Sequence, residues 1–138
     1  MLRIVLISAV VLGAIVASAA APAATVDCGS RSVGPGALVR TVGPGASCLL
    51  RAFQQRCRPA SYRLSSFGVD TIGTDTFRTV RRAGACEVAV AITFHLVPQP
   101  PRQTGSGYCK TLKRRGTDIV AGGCTGTGLP TSLSLSGR

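Results

Sequence analysis

Apolar positions follow three rhythms along the chain. From Ile4 to Val16 they are nearly continuous and uncharged. Arg3 precedes this run, and the small residues Ala17, Ser18, Ala19, Ala20 and Ala21 follow it. A charged start, a short apolar stretch and an A-x-A site are the parts of a cleavable secretory signal. The stretch is shorter than the roughly 20 residues a membrane-spanning helix needs. Residues 1–24 are therefore assigned to the signal, with cleavage expected after Ala19, Ala21 or Ala24.

The second rhythm is helical. Between Ser47 and Arg58, Leu49, Leu50, Phe53 and Cys57 fall on one face. Arg51, Gln54, Gln55 and Arg58 face away, as an amphipathic surface helix requires. Ser47 suits the N-cap, and Pro59 stops the helix.

The third rhythm has period two and starts at Ala60. Tyr62, Leu64 and Phe67 alternate with serines and Arg63, and Ile72 to Val80 is threonine-rich, which favours a strand. The cleanest alternation runs from Cys86 to Val97. Cys86, Val88, Val90, Ile92, Phe94 and Leu96 alternate with Glu87, Ala89, Ala91, Thr93 and His95, the signature of a half-buried strand. A turn centred on Ala83 and Gly84 sets Phe77 opposite Val90, on the face expected to meet the helix. Pro98, Pro100 and Pro101 end this strand. A final hairpin spans 108–124 and turns at Gly116 and Thr117.

The flanks carry less signal. Residues 25–46 read as an irregular Gly/Pro segment in which Val33-Gly34-Pro35-Gly36-Ala37 recurs as Val42-Gly43-Pro44-Gly45-Ala46. Leu38 to Thr41 between the copies reads as a short edge strand. Residues 125–138 read as a flexible tail. The predicted fold is one α+β domain over 47–124. A single N-terminal helix packs on a four- to five-stranded antiparallel sheet, in cystatin-like order, and disulfides stabilise it.

Six cysteines remain beyond the signal: Cys28, Cys48, Cys57, Cys86, Cys109 and Cys124. An even number in a short exported chain predicts disulfides. No C-x-x-C pair occurs and His95 is the one histidine, so no metal site and no cofactor is expected. With Gly116 and Thr117 as the loop, Cys109 falls opposite Cys124. Facing residues of an antiparallel pair are close enough for a bridge. The other two pairings stay open.

Charge adds a partner class. Sixteen Lys and Arg oppose five Asp and Glu; losing Arg3 with the signal leaves a net charge of +10. An anionic polymer, a lipid head group or an acidic protein outside the cell is the matching partner. The densest cluster is Lys110, Lys113, Arg114 and Arg115, the expected contact. Aromatic residues for stacking on bases are few, so no specific nucleic acid is expected.

Catalytic sets are sparse. His95 as a base needs a nucleophile and an orienting carboxylate. Ser65, Ser66, Asp70 and Asp75 supply these only if the fold gathers them, and alternation with Thr93 places His95 on the solvent side of a strand. No Gly-Lys phosphate loop is present: Gly122-Gly123 and Gly126-x-Gly128 precede no helix. No catalytic residue is assigned.

A set of motifs does resemble a known group. Cys48-x8-Cys57-Arg58-Pro59-Ala60, Gly68-Val69-Asp70-Thr71, Thr76-Phe77, Cys86, Val97-Pro98-x-Pro100-Pro101, Tyr108-Cys109 and Cys124 resemble a group of small secreted, cysteine-containing bacterial proteins of uncharacterised function. The resemblance covers roughly residues 48–124. It implies secretion and a bridged α+β domain and brings no catalytic residues. The expected function is a secreted, non-enzymatic binding module with a basic surface. A secreted hydrolase inhibitor is the alternative, and a small secreted hydrolase centred on His95 ranks below both.

Overall fold

The computed structural model describes residues 21–35 and 41–137. The signal up to residue 20 and most of the expected edge strand, residues 38–40, lie outside the described residues. The elements are β1 Val26–Val33, α1 Pro44–Gln54, β2 Ala60–Phe67, β3 Thr71–Arg82, β4 Ala85–Leu96, β5 Arg102–Arg115, β6 Asp118–Thr127 and β7 Ser132–Ser134. All seven strands join one sheet in chain order. β1 runs parallel to β2, and every later neighbour is antiparallel.

This corrects the predicted fold class. The sheet curls into a half-barrel and holds 60% of the described residues, whereas the one helix among them holds 10%. A single helix packed on a four- to five-stranded antiparallel sheet, in cystatin-like order, is not what forms. Two strands went unseen, each for a local reason. In β1 the register shifts between Asp27 and Ser30. Gly29 there has φ +82 and donates its N–H to Asp27 Oδ1 at 2.8 Å. A bulge of this kind breaks the period-two signal. β7 is only three residues long, too short to show periodicity. It is nonetheless anchored in the segment expected to be loose. Leu133 and Leu135 are buried, Cys124 N–H donates to Thr131 C=O at 3.1 Å, and Leu135 N–H donates to Ile119 C=O at 2.8 Å.

The helix is shifted toward the N-terminus. Gly43 is the N-cap and Pro44 opens the first turn, where a missing N–H costs nothing. Ser47 is thus inside the helix. Gly45 lets the helix approach the sheet: a Cβ on it would lie 2.6 Å from Cys28 O and 2.7 Å from the Tyr62 ring. The second Gly-Pro-Gly is therefore cap, first turn and contact point in succession. The helix stops at Gln54. Arg56 and Cys57 adopt φ +54 and +56, and Arg58 N–H reaches back to Ala52 C=O at 2.9 Å. Cys57 leaves the helix and bonds Cys86.

The core lies in the concave face of the sheet. Ala46, Leu49, Leu50 and Ala52 of α1 meet Tyr62, Leu64, Phe77, Val88, Val90, Leu112, Ile119 and Ala121. Burying a large apolar side chain stabilises by about 1.5–3 kcal/mol. Phe77 faces Val90, and Tyr62 stacks on Phe77 with centroids 6.2 Å apart. The curl tightens where Gly107 faces Gly126. A Cβ on Gly107 would lie 2.1 Å from Thr125 O, so only glycine permits this bend.

Candidate functional site

Strand direction decides where the charges go. β2 begins at the end of the sheet where β3 turns into β4 and β5 turns into β6. The loop from α1 to β2 brings Arg56 and Arg58 to that end. The β3–β4 hairpin brings Arg81 and Arg82, and the β5–β6 hairpin brings Lys113, Arg114 and Arg115. All seven are exposed. The carboxylates at this end are Asp27, at the start of β1, Glu87 and Asp118. Glu87 is held by Arg82 at 2.9 Å, and Asp118 Oδ1 accepts its neighbour Ile119 N–H at 2.7 Å.

Three covalent bridges steady this surface: Cys28–Cys48, Cys57–Cys86 and Cys109–Cys124. Cys57–Cys86 joins the α1–β2 loop to the start of β4. Cys109–Cys124 clamps β5 to β6 behind the hairpin, at facing positions of the ladder. Cys28–Cys48 ties β1 to the helix. Polar contacts reinforce the first of these joints. Arg81 donates to Arg56 C=O at 2.6 Å, and Thr79 Oγ1 accepts Ala60 N–H at 2.8 Å. The Arg82 guanidinium also lies 3.8 Å from the centre of the Tyr108 ring, a cation–π contact. Cations fixed in this way lose less side-chain freedom on binding than free ones.

Of the four cationic residues singled out from sequence, Lys113, Arg114 and Arg115 stand at this end. Lys110 lies farther up β5, next to Cys109 and beside Gly123. Arg56, Arg58, Arg81 and Arg82 join the group only through folding. Their one local signal is position: the first pair flanks Cys57, and the second immediately precedes a turn.

The residues weighed for catalysis are not gathered. His95 faces Ile72, and Thr93 faces Thr74. Asp75 lies beside Leu64 and Ile92, so it belongs to the opposite face of the sheet from His95. Ser65 Oγ pairs with Thr74 Oγ1 at 3.4 Å. Asp70 sits in the β2–β3 turn, where its C=O accepts Val97 N–H at 2.9 Å. No group of three or more His, Cys, Asp or Glu able to hold a metal occurs among the described residues.

The three disulfides mark a chain made for an oxidising compartment. No described helix is long and apolar enough to cross a membrane. The fold and this end of it define a disulfide-bridged, curled β-sheet domain with a cationic pole. Comparison with protein families, curated proteins and solved structures found no match for this chain.

Proposed function

We propose that this chain is an exported, non-enzymatic binding module that holds an anionic polymer outside the cell against its cationic pole. One observation carries the reading: three turns distant in sequence deliver seven cations to one end of the sheet, against three carboxylates. Converging like charge raises the local potential and draws an anionic partner toward it. Export is supported by the leader pattern of residues 1–24 and by the three bridges. The alternative of a hydrolase inhibitor drew on cystatin-like order, which the seven-stranded sheet replaces, and on the Gly-Pro-Gly loops beside the helix, the second of which is the helix cap and first turn.

Retention on immobilised heparin, followed against salt, tests the proposal. The mature protein is expected to elute above physiological ionic strength, because several contacts must be screened together. Elution at very low salt overturns the proposal. Retention on anionic vesicles or on an acidic protein, with none on the polymer, replaces the partner class.

A further inference from the structure

The far end of the sheet is apolar. There β2 turns into β3 and β4 turns into β5, and Val69, Phe94, Leu96 and Val97 are exposed, Val69 at 94%. The two turns are tied by the Val97 N–H···O=C Asp70 bond of 2.9 Å. Soluble chains rarely gather so many exposed apolar side chains in one place without a use for them.

Register explains the shape beneath them. On the helix-bearing face, Leu64, Asp75 and Ile92 form one row across β2, β3 and β4. The next row toward the rim is Ser66, Gly73 and Phe94, and it continues into β5 as Arg102. Gly73 leaves the middle of that row without a side chain. The helix does not cover it. Along β4, Val88 and Val90 are buried, Ile92 is half-buried and Phe94 is 42% exposed. The cavity left measures about 560 Å³, and Leu64, Ile92 and Phe94 are its apolar walls on this face. Its size lies within the span of small-ligand clefts, about 300–1,000 Å³. Three hydroxyls beside it are already committed. Ser66 donates to Gly73 C=O, Thr93 to Thr74 C=O and Thr104 to Ile92 C=O, at 3.5, 3.4 and 3.5 Å. The Asp75 carboxylate, in the inner row, is engaged as well. The slot therefore offers its occupant apolar contact, and the free polar group stands at the rim.

That group is Arg102. It faces Phe94 across the ladder, so the two side chains project from the same face. Thr104, two residues along β5, lines the slot. The Arg102 side chain is exposed, and among the described residues no carboxylate pairs with it. Asp70, the other charged residue of these turns, lies between β2 and β3, with β4 separating it from Arg102.

We infer that the slot binds a fatty acid, with its hydrocarbon tail over Gly73 between Phe94 and Leu64 and its carboxylate on the Arg102 guanidinium. Removing the tail from water drives entry. A guanidinium holds a carboxylate through two parallel hydrogen bonds. From Arg102 to Ser66 the row crosses three strand spacings, about 14 Å, which matches an extended chain of medium length such as laurate. This site lies at the opposite end of the sheet from the cationic pole, and neither depends on the other.

The test uses the mature, disulfide-intact chain and the neutral fluorophore N-phenyl-1-naphthylamine. Laurate and monolauroylglycerol, both kept below their aggregation thresholds, are the displacing ligands. Fluorescence is expected to rise on mixing at micromolar protein. Laurate is expected to displace the probe at a concentration about fivefold lower than monolauroylglycerol does, the gain of one exposed ion pair. Arg102→Ser is expected to abolish that preference and to leave the affinity for the uncharged probe as it was. Arg63→Ser removes the same charge from the other face of β2 and is expected to keep the preference. Gly73→Leu fills the slot. A Cβ there meets only Ser66 Oγ, at 2.8 Å, an exposed hydroxyl able to rotate away. This variant is expected to lose about tenfold in affinity for the probe and for laurate while its melting temperature holds. If it does not fold, Phe94→Ala decides the matter by a loss in probe affinity.

No fluorescence rise overturns the inference, as does unchanged probe affinity in Gly73→Leu or, where that variant does not fold, in Phe94→Ala. Equal displacement by the two ligands, or a preference for laurate that survives Arg102→Ser, overturns it too. So does an equal loss of preference in Arg63→Ser, which leaves net charge as the cause. Recovery of probe fluorescence when heparin is added to the laurate complex also overturns it, because that result places laurate at the cationic pole.

Discussion

Several single residues carry consequences that can be measured. Ala83 holds φ +45 beside Gly84 at φ +80. A two-residue hairpin loop with both angles positive favours Asn-Gly, and alanine pays a steric penalty there. Ala83→Asn is expected to raise stability by up to about 1 kcal/mol, read as a higher melting temperature. Gly45→Ala is expected to act the other way. Its methyl meets Cys28 O and the Tyr62 ring, and overpacking of this kind costs about 1–3 kcal/mol in denaturant titration. Tyr62 offers a pH test. Burial raises its phenol above the ordinary value of 10.0, against an opposing pull from Arg31. Its hydroxyl donates to Leu135 C=O at 3.2 Å. A raised folded-state value means that the folded chain holds the proton more tightly. That stability is fully present below about pH 10 and is lost as pH climbs through the folded value. Tyr62→Phe is expected to flatten this alkaline decline, at a loss of about 1 kcal/mol at neutral pH for the missing hydrogen bond. Urea midpoints from pH 8 to 11 read both effects.

Elements were legible in proportion to how regularly they alternate. β2 was visible from Tyr62 and Leu64, and β4 from its unbroken run of alternate apolar positions. The turns at Ala83-Gly84 and Gly116-Thr117 set the register that places Phe77 against Val90 and Cys109 against Cys124. β1 and β7 were not legible. Gly29 breaks the first, and the second is stabilised by what surrounds it more than by its own three residues. The helix is legible but lies four residues earlier than expected, because Ser47 suits a cap while Gly43 and Pro44 do that work. The C-terminal segment supplies the clearest test at this scale. Leu135 is fully buried although it lies past the last strand. Leu135→Ala is expected to cost about 2–5 kcal/mol, as other large-to-small changes in cores do. A loss below 0.5 kcal/mol in denaturant titration shows instead that the segment is not part of the core.

At the scale of the whole molecule, the fold makes a pole that the linear order of charges hides. Basic residues look dispersed along the chain, and only the Lys110–Arg115 stretch reads as a cluster. Folding an antiparallel sheet sends alternate connections to opposite ends. Arg56, Arg58, Arg81 and Arg82 thus join Lys113, Arg114 and Arg115, while the turns at 67–71 and 96–102 carry exposed Val69, Leu96 and Val97. Long-range pairing of this kind depends on strand count and direction. An unseen strand at each edge changes the architecture without changing this end-to-end polarity, since β2 to β6 alone create it.

The central claim is that position at the pole, and not total charge, governs binding. Two double variants of equal charge test it. Arg58→Ser with Arg115→Ser removes two cations from different turns of the pole. Arg63→Ser with Arg78→Ser removes two exposed cations from the middle of the sheet. The salt concentration that elutes each from heparin is the measurement. The polar pair is expected to fall well below the parent while the mid-sheet pair stays near it. Equal shifts for the two pairs contradict the claim and leave net charge alone as the cause.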